Sequence, residues 1–289
     1  MTLFFLAAAL AAAPLNASVP AAVIADPPAD RAHPAGMEAF VLPSHGSGMN
    51  AVLYLASGAR PHPTLLLLHG FPGNEQNLDL AQAARRAGWN VLTFHYRGSW
   101  ASGGDFSFLN AADDTHAALA FLEDPAEDTR YHIDPAHIAV AGHSMGGYMA
   151  ADAAADDPRV VGLFLIDPWN IGADARTLGT TAGQKAWHET ADGDLPPLAG
   201  TSEQKLAAEM EANADRFDLT KRTIAFGRRP VEIVGAERGG GAAQTVLLKA
   251  VRAAGNDRAT GAVWPTDHPF SDMRIALAEE LVRWLSQFR

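Results

Sequence analysis

The chain has no cysteine. Disulfide frameworks, thiolate nucleophiles and cysteine-based zinc sites are therefore excluded. Positive charge is also scarce: 22 Lys and Arg stand against 33 Asp and Glu, a formal net charge of −11. No basic cluster interrupts the deficit, so no nucleic-acid partner is expected. The eleven histidines include no His-x-x-x-His pair of the kind that holds zinc from one helix, and neither metal nor other cofactor is expected. Long apolar runs are missing as well. Leu3 to Leu15 is apolar, but too short and alanine-rich for stable membrane insertion.

That run does have the length of a signal-peptide core, with Leu15-Asn16-Ala17 and Val19-Pro20-Ala21 as candidate cleavage sites. Met1-Thr2 lacks the usual positive charge. We expect residues 1–21 to be a signal peptide and the protein to be exported, periplasmic or secreted. Without such a signal it would be cytoplasmic. Residues 22–37, with Pro27, Pro28 and Pro34 among alanines, have the composition of a linker.

What remains suits one α/β domain with an insertion: 289 residues, 48% of them hydrophobic. Phe40-Val41-Leu42 and Ala51 to Leu55 flank Gly46-Ser47-Gly48, which predicts a hairpin. Strands over 64–69, 89–96, 137–143 and 160–166 then alternate with helices over 76–87, 110–122 and 145–156. This is the pattern of a parallel sheet covered on both faces. It breaks over 168–229, where Ser202 caps a helical stretch reaching Arg216, and resumes with strands at 231–234 and 259–264 around a helix over 243–254. A closing helix spans 271–288. A connection of that length in a compact domain suggests a lid, or else a static helical wall. Trp169 and Trp187 within it are candidates to line an acyl pocket, or simply to pack in the core.

Gly142-His143-Ser144-Met145-Gly146-Gly147 falls at the junction of an apolar strand and an alanine-rich helix. A Gly-x-Ser-x-Gly turn there holds the serine on a sharp, strained bend with its hydroxyl projecting. Upstream, Thr64 to Leu68 runs into His69-Gly70-Phe71-Pro72-Gly73. Near the C-terminus, Thr266-Asp267-His268-Pro269-Phe270-Ser271-Asp272 separates an apolar strand from an amphipathic helix.

This arrangement resembles the α/β-hydrolase superfamily of serine hydrolases over about residues 38 to 289. Tyr96-Arg97-Gly98-Ser99 and Gly146-Gly147-Tyr148-Met149 are similar to its prolyl oligopeptidase and dienelactone hydrolase branches. The resemblance implies a mostly parallel sheet flanked by helices, with a helical lid insertion. It implies Ser144 as nucleophile, His268 as base, and the amides of Phe71 and Met145 as the oxyanion hole. The family's acid usually follows the strand here spanning 231–234, in a Gly-x-Glu-x-Asp pattern. This chain reads Gly235-Ala236-Glu237-Arg238-Gly239, with glycine in place of the Asp. Asp167, at the end of the preceding strand where some members of the family keep their acid, is expected to take the role, with Glu237 as the alternative and Asp267 beside the histidine behind both.

The reading that follows is a carboxylic ester hydrolase working through an acyl-enzyme on a small-molecule ester. Two alternatives stand beside it. One is a serine peptidase of the prolyl oligopeptidase type without its propeller, since about 37 residues precede the first expected strand. The other is a hydrolase-fold binding protein impaired by the loss of its acid.

Overall fold

The computed structural model describes residues 18–288. The run Leu3 to Leu15 and the cleavage site at Ala17 lie outside the described residues. The elements, in order, are α1 (Ala21–Ile24), β1 (Gly36–Ser44), β2 (Ser47–Leu55), β3 (His62–Leu68), α2 (Leu78–Arg86), β4 (Asn90–Phe94), α3 (Phe108–Leu122), α4 (Pro125–Tyr131), β5 (Ile133–His143), α5 (Met145–Asp156) and β6 (Val160–Ile166). Then come α6 (Ile171–Ala175), α7 (Thr181–Ala191), α8 (Glu203–Ala212), α9 (Leu219–Arg222), β7 (Val231–Arg238), α10 (Gly241–Ala253), β8 (Ala259–Asp267) and α11 (Arg274–Leu285).

The strands form one eight-stranded sheet in the order β1-β2-β4-β3-β5-β6-β7-β8. The first two pairings are antiparallel and every pairing from β4–β3 to β7–β8 is parallel. Successive side chains in a strand point to opposite faces, and the central strands are apolar on both. In β3, Leu66 and Leu68 join one core layer while Leu65 and Leu67 join the other. In β5, Ile138 and Val140 oppose Ala139 and Ala141; in β6, Leu163 and Leu165 oppose Phe164 and Ile166. Helices α3, α5 and α10 contribute to the first layer, α2 and α11 to the second. Each fully buried leucine or isoleucine contributes about 1.5–3 kcal/mol by leaving water. That two-sided burial explains why these strands read as continuous apolar runs.

Three elements differ from expectation. The hairpin turns on His45-Gly46, both at positive φ (46° and 81°), so Ser47 and Gly48 belong to β2. Two positive φ values in a two-residue turn match the twist of the strands they join. Helix α4 was not anticipated, although Asp124 caps it by accepting from the Ala126 amide at 2.8 Å and Pro125 occupies its first turn. Strands β7 and β8 pair as far as Arg238 and Asp267, so Gly235, Ala236 and Glu237 are strand rather than loop.

Between β6 and β7 the chain forms α6 to α9 and a short 3-10 turn over Thr223–Phe226. Ser202 caps α8 by accepting from the Lys205 amide at 3.2 Å, and Leu206 and Met210 bury their side chains in the core layer below. This helical segment is fastened at two places. Gly172 N donates to Phe217 O, and Leu219 N to Asn170 Oδ1. Trp100 N donates to Pro197 O, Ala199 N to Gly98 O, and Phe106 N to Ala199 O.

Candidate active site

Ser144 stands between β5 and α5 at φ 56°, ψ −121°, a conformation that a residue with a side chain rarely adopts. Its neighbours show why the turn is glycine-rich. A β-carbon on Gly142 would lie 2.0 Å from the Gly146 carbonyl oxygen, and one on Gly146 would lie 2.3 Å from that of Leu68. A β-carbon on Gly147 would meet the Pro168 side chain at 2.6 Å. The strain is held by hydrogen bonds from both sides: Ser144 N donates to Ile166 O, and Ser144 O accepts from Gly147 N and Trp169 N. Ser144 is the first residue of this stretch to regain partial exposure after the fully buried end of β5.

Beside it runs the turn after β3. A β-carbon on Gly70 would touch Ser144 Cβ at 3.0 Å, so the two turns are in van der Waals contact. Neither the Phe71 N–H nor the Met145 N–H has a hydrogen-bond partner among the described residues. Met145 opens α5, where the helix leaves its first amides free and a positive dipole end accumulates. The His69 ring lies beneath this turn. Its Nδ1–H donates to the Gly70 carbonyl at 2.7 Å, leaving Nε2 to accept from His95 Nδ1 at 3.2 Å. Burial, reinforced by the neighbouring His95, lowers the His69 pKa to about 4 against the hydrogen bond to Gly70. Both rings are thereby kept neutral in a fixed tautomer.

His268 follows β8. Its Nδ1 lies 2.6 Å from Asp167 Oδ2, and Asp167 follows β6. The same carboxylate accepts Gly240 N at 2.9 Å and Ala236 N at 3.1 Å. Burial alone would raise the Asp167 pKa. The bonds from His268, Gly240 and Ala236 outweigh it and hold the carboxyl below its ordinary range. With Nδ1–H given to Asp167, the His268 Nε2 carries a lone pair. The ring is 42% exposed in its side chain, whereas Asp167 is buried. His143 lies against it, ring centroids 4.5 Å apart, and its Nε2–H donates to the His268 carbonyl at 2.9 Å. Burial and the nearby His268 depress the His143 pKa to about 3, so it adds no second positive charge there.

Of the alternative carboxylates, Glu237 is exposed on the rim of β7 with no hydrogen bond to His268. Asp267 accepts the Ser271 amide at 2.7 Å instead. Gly239 is where Asp167 needs room: a β-carbon there would lie 2.3 Å from Asp167 Oδ2. Tyr96-Arg97-Gly98-Ser99 is a buried anchor. Arg97 N and Nε both bond Asp114, and a side chain at Gly98 would strike the Phe106 amide at 2.2 Å.

Ser144, His268, Asp167 and Phe71 line a single cavity of about 490 Å³. Residues of α6 and α7 line it, Trp187 among them, together with Trp169 just ahead of α6. This size suits a small organic ligand. A larger cavity, about 920 Å³, opens at the other ends of the strands around Arg60, His62 and His137 and contains none of the motif residues. His116, Asp152 and Asp156 bring possible metal-ligand atoms within 4.8 Å of one another on α3 and α5. Arg222 already occupies that trio, 2.9 Å from Asp152 and 2.8 Å from Asp156.

A family profile described as alpha/beta hydrolase matches residues 65–286, from β3 through α11. The chain belongs to the alpha/beta hydrolase family. Solved hydrolases share its fold. Est1E from Butyrivibrio proteoclasticus with ferulic acid bound superposes with a TM-score of 0.68 at 19% identity, over 86% of this chain and 98% of that one. The 2,6-dihydroxy-pseudo-oxynicotine hydrolase gives 0.65 at 18% identity, over 89% and 68%. EstE1, a thermostable carboxylesterase from a metagenomic library, gives 0.61 at 20% identity, over 93% and 92%. At such identities the likeness is one of fold. Among curated sequences, an uncharacterized protein of Mycobacterium tuberculosis is 29% identical over 133 residues, 46% of either chain. An uncharacterized 31.7 kDa Escherichia coli protein from the traX-finO intergenic region is 32% identical over 115 residues, 39% of this chain and 40% of that one. The chain thus matches just under half the length of these curated relatives.

Sequence patterns singled out the two turns and the histidine, because each demands particular backbone geometry. They pointed to Trp169 and Trp187 but not to Asp174 and Asp194, which also line the cavity. No local pattern marks those two carboxylates; only the fold of the insertion brings them there.

Proposed function

We propose that this hydrolase cleaves carboxylic esters through an acyl-enzyme on Ser144. His268 Nε2 takes the serine proton as the hydroxyl attacks, then returns it to the departing alcohol. Asp167 orients the ring and stabilises its positive charge. The Phe71 and Met145 amides receive the carbonyl oxygen as it becomes negative, and such fixed donors are usually the largest catalytic contribution. Water then repeats the sequence in reverse and frees the acid.

The Asp167–His268 pair carries this reading. Its 2.6 Å contact opens onto the cavity that Ser144 and Phe71 also line. A chain that had lost its acid at position 239 and become only a binder would not be expected to hold a second carboxylate against the same imidazole. The esterases among its structural neighbours support esters as substrate class.

A fluorophosphonate should add its mass to the peptide carrying Ser144, and a panel of chromogenic esters should be turned over faster than aminoacyl or prolyl amides by kcat/KM. Ser144→Ala should lose both labelling and turnover. Labelling at another residue would remove the serine assignment, and faster amide cleavage would make the protein a peptidase.

A further inference from the structure

Every charged residue lining the cavity over Ser144, apart from the histidine, is an acid: Asp167, Asp174 and Asp194. No Lys or Arg lines it. Asp167 is saturated by His268, Gly240 and Ala236. Among the described residues, the other two are not engaged by any cation. Asp174 accepts the Trp169 Nε1–H at 2.6 Å, which fixes a negative charge at the edge of that indole. Asp194 is half-buried, and among the described residues its carboxylate has neither a hydrogen bond nor an ion pair. A carboxylate that gives up part of its hydration without gaining a partner is destabilised, and burial accordingly raises the Asp194 pKa. A cation delivered by a ligand would reverse that cost.

The apolar walls have matching chemistry. The Trp169 and Trp187 rings lie nearly parallel, 19° apart with centroids separated by 6.4 Å. Phe71 packs against both, at 6.5 and 6.1 Å. Indole faces attract organic cations, most strongly where water is excluded. The net charge of −11 draws cations towards the protein and repels anions.

We propose that this cavity selects substrates bearing a positive charge, an amine or quaternary ammonium group held against Trp169 and Trp187 and balanced by Asp194, with Asp174 alongside. The reaction performed on them rests on the ester hydrolase reading above, but recognition of the cation does not require turnover. Esters of carboxylate-bearing acids or alcohols are disfavoured by the same charges.

The test separates binding from chemistry. Benzyltrimethylammonium, its uncharged isostere neopentylbenzene, and 3-phenylpropanoate are titrated against the full chain carrying Ser144→Ala, by calorimetry or indole fluorescence. The ammonium ion should bind about tenfold tighter than the isostere, a difference of about 1.4 kcal/mol, and the carboxylate should bind most weakly. Added salt should erode the preference. Asp194→Asn, similar in shape, should cut it to about threefold or less, and the Asp174→Asn/Asp194→Asn double variant should abolish it. Equal affinity for the ammonium ion and its isostere in the otherwise unaltered cavity would overturn the proposal. So would a preference that survives in the folded double variant. If either variant fails to fold, the isostere ratio and its salt dependence still decide. Turnover of neutral esters by the Ser144 chain is measured in parallel. Turnover without a cation preference removes only this proposal, and a cation preference without turnover removes only the hydrolase reading.

Discussion

Asp167 and Gly239 compete for one space: the missing β-carbon of Gly239 would lie 2.3 Å from Asp167 Oδ2. The glycine that stands where related sequences carry an acid is therefore not simply a loss. It clears the seat that the neighbouring strand's carboxylate occupies. Introducing Gly239→Asp should lower kcat rather than raise it, because two carboxylates cannot share that seat without one being displaced or protonated. A gain in activity would mean that Asp167 is not the acid in use.

Asp167→Asn should lower kcat by about 10²–10⁴ at unchanged fold, since the amide favours the wrong histidine tautomer. Glu237→Gln should leave kcat within about twofold, as expected for an exposed substitution away from the site. Steady-state kinetics on one ester with both variants decide between them. A collapse confined to Glu237→Gln would reassign the acid.

His268→Ala should reduce kcat by several orders of magnitude, and adding Ser144→Ala to it should cost little more. Nucleophile and base act as a unit, so their losses do not add. Additive losses in the double variant would show that His268 works independently of Ser144.

Acid should weaken the fold through two histidines. The buried rings of His69 and His143 have pKa values lowered from 6.5 to about 4 and about 3, chiefly by burial. Between 6.5 and those values the unfolded chain binds protons that the folded chain refuses, so stability falls as pH drops through that window. By pH 4 each ring removes on the order of 3 kcal/mol. Urea unfolding at pH 7 and pH 4.5 should show the loss, and His69→Gln should make it shallower. An identical pH slope in that variant would exclude His69 as a source.

The N-terminal segment suggests where export processing would cut. Helix α1 docks on the body: Arg86 Nε donates to Ala22 O at 2.6 Å, and Ala22 and Val23 pack on the second core layer. Cleavage after Ala21 would remove the first residue of α1 and the Pro20 and Ala21 carbonyls that accept from Val23 N and Ala25 N, whereas cleavage after Ala17 leaves the helix whole. We expect a mature chain beginning at residue 18. N-terminal analysis of the native protein checks this, and a chain retaining Met1 in the cytoplasm would dismiss export altogether.

Glycine spacing made Ser144 and the turn after β3 legible, because only glycine tolerates contacts such as the 2.0 Å approach at Gly142. The alternating apolar strands made the sheet legible. The partner of His268 was legible only as a choice among carboxylates, with Asp167 foremost, since 101 residues separate the two and no local pattern encodes their meeting. Glu237 looked like a loop residue because the extension of β7 depends on its pairing with β8, a tertiary effect.

The helical roof is stitched down along Pro197 and Ala199 and clasped where Gly172 meets Phe217. Neither tether lies in the stretch around α7. There the cavity wall is made by Thr177, Ala186 and Thr190, which are also exposed to solvent, and His268 beside them is half-exposed. One short stretch therefore both encloses the cavity and forms part of its rim, so a substitution there changes the shape of the site without touching the sheet that carries Ser144 and Asp167.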